Sequence, residues 1–250
     1  MSSSAKKFDF EELLRVAITA TVLVIGSRFL LNNTYLSTWL GQAWLRGQQQ
    51  IAILRGASPA SIPVGTPATI LKANDSVVML QGRQSIGSGV ILTSDGLVLT
   101  NSHVVRAGGQ QWKVRLSDGR EFSAHIVGVG DRKRGIYYDL ALVQLEGASG
   151  LPVARFSEGQ PPINDPVWAI GAPYGKPEVI TQGTFKRMTS DGILLSSTEV
   201  HPGNSGGPLL NRNGEVIGIN TEINPNLPDN ATTASISVSL LQEHLPQLVN

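Results

Sequence analysis

An all-β fold built from many short strands is predicted, and three observations carry the prediction. The 250 residues include 27 Gly and 14 Pro, with only 16% charged, a balance that short strands joined by glycine turns produce. From Ala68 onward, short apolar runs alternate with turn signals about every ten residues. No long helical period interrupts them before the final segment. Ten or more such strands imply a barrel or a sandwich.

Taken in order, the predicted strands are Val77–Leu80, Gly89–Leu92, Leu97–Thr100, Trp112–Leu116, Phe122–Val127, Leu140–Leu145, Val167–Ile170, Ile193–Ser196, Leu209–Leu210 and Val216–Asn220. The turns between them include Ser94-Asp95-Gly96, Ser117-Asp118-Gly119, Ser190-Asp191-Gly192 and Asn211–Gly214. Asp and Asn form local turn hydrogen bonds, and Gly supplies positive φ. Ser237–Leu248 places Val238, Leu240, Leu241, Leu245 and Leu248 at helical spacing and predicts a closing helix, shortened by Pro246. No internal repeat is visible.

The first 55 residues have a different character. Leu13–Leu31 is apolar apart from its polar members Thr19, Thr21 and Ser27 and the arginines Arg15 and Arg28, and it just reaches the ~20 residues a membrane-spanning helix needs if both arginines reach the interfaces. Tyr35, Trp39 and Trp44 follow where an interfacial aromatic belt would sit. An uncleaved membrane anchor, a secretory signal peptide and a soluble amphipathic helix all remain open. Against the signal peptide, the small-residue site Gly41-Gln42-Ala43 lies far from the apolar run. Lys6, Lys7 and Arg15 favour a cytoplasmic N-terminal side, which places the remainder outside the cytoplasm; Arg46 and Arg55 dilute that bias. Residues 56–67 are small and Pro-rich and read as a linker, with one domain from 68 to 250.

Charge and cysteine content exclude several functions. A formal charge of +1 lacks the basic surplus that nucleic acid requires, and the longest basic run is Arg132-Lys133-Arg134. There are no cysteines, which removes disulfides, thiolate catalysis and Cys-based metal sites. No cofactor is implied.

The segment richest in chemistry is His201-Pro-Gly-Asn-Ser-Gly-Gly-Pro-Leu-Leu210. Gly203 and Gly206 permit positive φ and close backbone approach, so N–H groups can converge beside the Ser205 hydroxyl. The N–H groups of Gly203 and Ser205, with Asn204 between them, form the candidate oxyanion hole. An α/β-hydrolase elbow fits poorly, because Pro208 and Asn211–Gly214 announce a strand and a turn where that motif needs a helix. Ser205 needs a base. Of four histidines, His103 ends an apolar strand (Leu97–Val105), His125 alternates within a strand, His244 lies in the closing helix, and His201 adjoins the serine loop. The third member must be a carboxylate that can be buried against the imidazole. Asp139 opens the apolar strand Leu140–Leu145, whereas Asp95, Asp118 and Asp191 sit in Asp-Gly turns.

Five strings carry a resemblance: Gly87-Ser-Gly-Val-Ile91, Leu99-Thr-Asn-Ser-His-Val-Val105, Asp139-Leu-Ala-Leu142, Pro202-Gly-Asn-Ser-Gly-Gly-Pro-Leu209 and Gly214-Glu-Val-Ile-Gly-Ile-Asn-Thr221. In this order they resemble the HtrA/Deg branch of the trypsin-like serine proteases over roughly residues 68–245. The order His103, Asp139, Ser205 is that of chymotrypsin. The resemblance implies two six-stranded antiparallel β-barrels with the catalytic residues in the cleft between them. It implies a serine endopeptidase in protein quality control or regulated proteolysis, with His103, Asp139 and Ser205 as triad and no cofactor. Its expected partners are unfolded or extended polypeptides and further copies of itself, trimers being common in the family; the membrane is expected as a partner from the apolar N-terminal segment. Ile217–Thr221 is the expected substrate-binding strand, and Thr198, Glu199, Val200, Ile219, Asn220 and Thr221 are the expected substrate-binding residues. Three departures are visible. The sequence ends shortly after this region, so control through the family's PDZ module is not expected. His201 stands where Asn is usual. Glu199 and Glu222 stand where small apolar residues are common; a carboxylate in the pocket would favour a basic side chain, and the alternative is that both face solvent. The rival to an enzyme is a protease-shaped module that binds polypeptides without cutting them.

Overall fold

The computed structural model describes residues 62–63, 65–109, 111–175, 179–224 and 226–248. It contains two closed antiparallel β-barrels of six strands each. The first is formed by β1 (Val77–Gln81), β2 (Ile86–Ile91), β3 (Leu97–Thr100), β4 (Trp112–Leu116), β5 (Glu121–Val129) and β6 (Ala141–Leu145), in the order β1-β2-β3-β6-β5-β4. The second is formed by β7 (Pro166–Gly171), β8 (Val179–Met188), β9 (Ile193–Ser196), β10 (Pro208–Leu210), β11 (Val216–Ile223) and β12 (Thr233–Ser237). Its order, β7-β8-β9-β12-β11-β10, repeats that of the first. The molecule therefore has an internal repeat of topology. It is invisible in the sequence because a barrel constrains only the pattern of inward residues, not their identities.

Period-two burial builds each barrel. In β4, Trp112, Val114 and Leu116 are buried while Lys113 and Arg115 face out. A shared apolar cluster joins Val90, Leu99, Leu140 and Leu142 of the first barrel to Trp168, Ile170, Ile219 and Ile236 of the second. That common core fixes the relative placement of the two barrels, and with it the residues at their seam.

Two strands escape the sequence pattern. In β8, Gly183 interrupts the alternation because the neighbouring chain passes too close for a side chain; a Cβ there would lie 2.4 Å from the Thr198 nitrogen. In β12 (Thr-Ala-Ser-Ile-Ser), polar residues are buried because each has a partner. Thr233 donates to the Thr198 carbonyl at 2.8 Å, Ser235 to Asn220 Oδ1 at 3.0 Å, and Ser237 accepts from the Leu240 N–H at the start of the closing helix.

Among the described residues there are also three short α-helices, α1 (Ala68–Ala73), α2 (Ser102–Gly108) and α3 (Val238–His244), and several 3₁₀ turns, one of them Arg132–Arg134. The closing helix is shorter than its apolar spacing suggests, and Leu245–Leu248 continues as a 3₁₀ turn around Pro246. The apolar stretch Leu13–Leu31, its expected membrane-anchoring role and most of the predicted linker lie outside the described residues. Among the described residues, no helix is long and apolar enough to cross a membrane.

Candidate active site

His103 is positioned by the transition from β3 to α2. Asn101 is the residue before the helix, with extended backbone, and His103 falls in the first turn. The sequence places His103 at a strand end; the helix that follows is what aims it. Asn101 does not cap α2 with its side chain. Its amide instead donates to the Asp139 carbonyl at 2.7 Å and to Thr221 Oγ1 at 3.0 Å, so one buried residue ties together both barrels and the acid.

Asp139 has no exposed surface. Its Oδ1 accepts from Ser102 Oγ at 2.7 Å and from the His103 N–H at 2.9 Å. Its Oδ2 lies 2.7 Å from His103 Nδ1 and 3.2 Å from a guanidinium nitrogen of Arg132. A carboxylate only accepts, so Nδ1 carries the proton and Nε2 keeps its lone pair. Burial is the largest single influence on Asp139 and opposes its charge. The hydrogen bond and charge of His103, with the charge of Arg132 and the Ser102 hydroxyl, outweigh it and hold the carboxyl below its usual range. The depressed value sets the sign of a pH effect. Asp139 contributes stability in full above its unfolded-state pKa of about 3.9, and that contribution is lost as pH falls through the lower folded value. The thermal midpoint is therefore expected to fall more steeply below about pH 4 in the wild type than in Asp139→Asn, as measured by parallel melts across acid pH. Parallel curves would remove the charge assigned to Asp139.

The serine loop is pinned against the first barrel. The Ser88 N–H donates to the Ser205 carbonyl at 2.8 Å, and Ser88 Oγ donates to the Gly203 carbonyl at 2.6 Å while accepting from Ala172 N at 2.9 Å. Gly206, at φ +86°, has no room for a side chain, since a Cβ would lie 2.2 Å from the Ser88 carbonyl and 2.3 Å from Thr100 Oγ1. This approach packs the serine loop on the end of β3, just before the helix that carries His103.

Within the loop, the N–H groups of Asn204, Gly206 and Gly207 donate to His201 O, Asn220 O and Asn204 O respectively. Those of Gly203 and Ser205 donate to no acceptor among the described residues. Two free donors in the serine loop, one of them the serine's own, are what an oxyanion hole needs. Asn204 differs from its predicted place in that trio: its N–H is committed at 2.9 Å, and its buried side-chain amide has no partner among the described residues. The Ser205 hydroxyl makes no hydrogen bond to His103 in this structure.

The unpaired edge of β11 lies further along the chain than the expected substrate-binding strand. Ile219 pairs with Pro208, and both backbone groups of Asn220 are taken by Gly206 and Gly207. Because β10 has only three residues, β11 loses its partner on that side after Asn220. The open edge is Thr221–Ile223, not Ile217–Thr221. Thr198 is fully buried, its hydroxyl bonded to Ser196 and its carbonyl accepting from Thr232 and Thr233. Val200 is buried and Glu199 exposed, the latter in keeping with a solvent-facing glutamate. Glu222 differs: it lies 3.7 Å from Arg132.

The other histidines make other contacts. His125 faces Glu146 at 3.7 Å on an exposed strand face, His201 lies 6.0 Å from the Tyr174 ring, and His244 is buried against Tyr137 and Tyr138. Ser88, Asn101, Ser102 and Arg132 are contributors that the sequence reading does not single out. The first three lie inside motifs already noted, and Arg132 lies in the short basic run. Among the described residues, no cluster of three or more His, Cys, Asp or Glu could hold a metal ion.

The family model of the trypsin-like peptidase domain matches residues 87–219, more than half of the chain. The chain belongs to the trypsin-like peptidase family. Among its relatives, this trypsin-like peptidase is 40% identical over 148 residues to a protein of Pseudomonas putida (strain GB-1) named probable periplasmic serine endoprotease DegP-like, covering 56% of this chain and 30% of the relative. It is 40% identical over 151 residues to the probable periplasmic serine protease do/HhoA-like of Haemophilus influenzae, covering 56% and 31%. The chain thus spans about a third of the length of these curated relatives. The crystal structure of the serine endoprotease from Yersinia pestis superposes with a TM-score of 0.66 at 31% identity, covering 75% of this chain and 68% of that one. The curated relatives that the trypsin-like peptidase resembles are thus named as DegP-like and HhoA-like serine proteases.

Proposed function

We propose that this chain is a serine endopeptidase that cuts extended or unfolded polypeptides through Ser205, His103 and Asp139. The observation that carries the reading is the Asp139–His103 pair at 2.7 Å, with the serine loop packed on the end of β3 and the N–H groups of Gly203 and Ser205 free. Nε2 of His103 takes the Ser205 proton as Oγ attacks the scissile carbonyl, and Asp139 stabilises the imidazolium that forms. The N–H groups of Gly203 and Ser205 bind the oxygen that becomes negative. His103 then protonates the leaving amine, and water hydrolyses the acyl-enzyme by the same relay. Substrate backbone pairs with the open edge Thr221–Ile223, which favours extended segments over compact folds. The names of the relatives support a site of action outside the cytoplasm.

A latent or purely binding role is favoured by one observation: the Ser205 hydroxyl is not hydrogen-bonded to His103. Such contacts often tighten only when substrate is bound. Labelling with a fluorophosphonate probe decides between the two. A covalent adduct at Ser205 is expected. Its absence under all conditions, including with added unfolded protein, would leave the binding module.

A further inference from the structure

Arg132 has no part in the mechanism above, yet its guanidinium reaches the same carboxylate oxygen that His103 uses. It lies 3.2 Å from Asp139 Oδ2 without the alignment of a hydrogen bond, so His103 keeps its own bond at 2.7 Å. Arg132 therefore acts on the pair as a charge. Its other nitrogen lies 3.7 Å from Glu222, at the open edge of β11, so the guanidinium spans the seam between the barrels. Other charged or titratable groups on the surrounding elements have partners elsewhere: Asp131 accepts from the Lys133 N–H, and Tyr137 packs on Tyr138. Arg106 of α2 is tied to the Gly130 carbonyl at 3.1 Å, and Arg134 and His244 both pack on the Tyr138 ring.

We propose that Arg132, restrained by Glu222, sets the charge that Asp139 presents to His103, and so sets the pH above which Ser205 becomes reactive. Arg132 is a positioning residue acting through Asp139, and the proposal rests on the reading of Ser205 as nucleophile. The physical reason is an opposition of charges. Arginine is always protonated, and both contacts meet at Oδ2, which puts guanidinium and imidazole within about 6 Å. A fixed cation that close repels a second positive charge and shares Oδ2 with the ring. Glu222 withdraws part of that effect. The two residues therefore have opposite signs.

The test is the rate of fluorophosphonate labelling of the full chain against pH, which needs no knowledge of the substrate. In Arg132→Gln the acid limb is expected to move to higher pH by about half to one unit at low ionic strength. In Glu222→Gln it is expected to move to lower pH. Both shifts should shrink by at least half in about 1 M salt, where the Debye length is ~3 Å. A uniform loss of rate in Arg132→Gln with the limb unmoved would show a merely structural role and overturn the proposal, as would shifts of the same sign in both variants. Should Arg132→Gln fail to fold, the direction of the Glu222→Gln shift decides alone. A wild type that does not label at any pH overturns the nucleophile reading itself, an outcome distinct from a labelled protein with an unmoved limb.

Discussion

Replacing Ser205 by alanine is expected to lower kcat on an unfolded polypeptide by about 10⁶-fold while leaving the fold intact. The size of the loss follows from the chemistry. Without Oγ there is no acyl-enzyme, and only the free N–H groups and substrate binding remain to assist direct attack by water. The intact fold follows from the contacts. The Ser205 hydroxyl makes no hydrogen bond among the described residues, and the bond that pins the loop uses the Ser205 carbonyl, which alanine retains. The thermal midpoint should therefore reflect a change within about 0.5 kcal/mol. A variant with normal turnover and a normal melt would remove the proposed mechanism entirely.

The second large effect is expected at Asp139. Asp139→Asn should lower kcat by about 10⁴-fold without disturbing Ser205 or the oxyanion donors. The cause is a reversed hydrogen bond. Oδ1 is fixed as an acceptor by the Ser102 hydroxyl and the His103 N–H. In asparagine the NH₂ group then occupies the place of Oδ2 and donates toward His103 Nδ1. The imidazole must accept there and carry its proton on Nε2, where it cannot take the serine proton. The same NH₂ faces Arg132, and two donors in contact without an acceptor should cost about 1–3 kcal/mol of stability. Steady-state kinetics beside a denaturant titration measures both effects. A loss below tenfold would show that Asp139 does not orient the base.

How far the fold could be read in advance depended on what each element rests on. Leu97–Thr100, Trp112–Leu116 and Ile193–Ser196 were legible residue for residue, because an apolar run bounded by turn residues has no other low-energy use in a barrel. β12 was not, since Thr233, Ser235 and Ser237 are buried by hydrogen bonds to residues elsewhere in the chain. β8 was not, because Gly183 answers to the approach of Thr198. At the candidate site, Ser205, His103 and Asp139 stood out because each needs a rare local setting: glycines around the serine, polar residues before the histidine, and an apolar strand after the acid. Arg132 looked like one member of a basic run.

The sequence by itself determined the all-β class and the turn positions and marked out Ser205, while the family resemblance joined His103 and Asp139 to it. The class, the turns and the serine rest on local properties, namely period-two burial, turn propensity and the backbone freedom of glycine. Only the tertiary structure decided that the two barrels share one topology. It also decided that the open edge begins at Thr221, where the three-residue β10 has ended, and that Arg132 joins Asp139 to Glu222 across the seam. The physical reason is distance along the chain. Arg132 and Glu222 belong to different barrels, and what brings them together is the shared apolar core between those barrels.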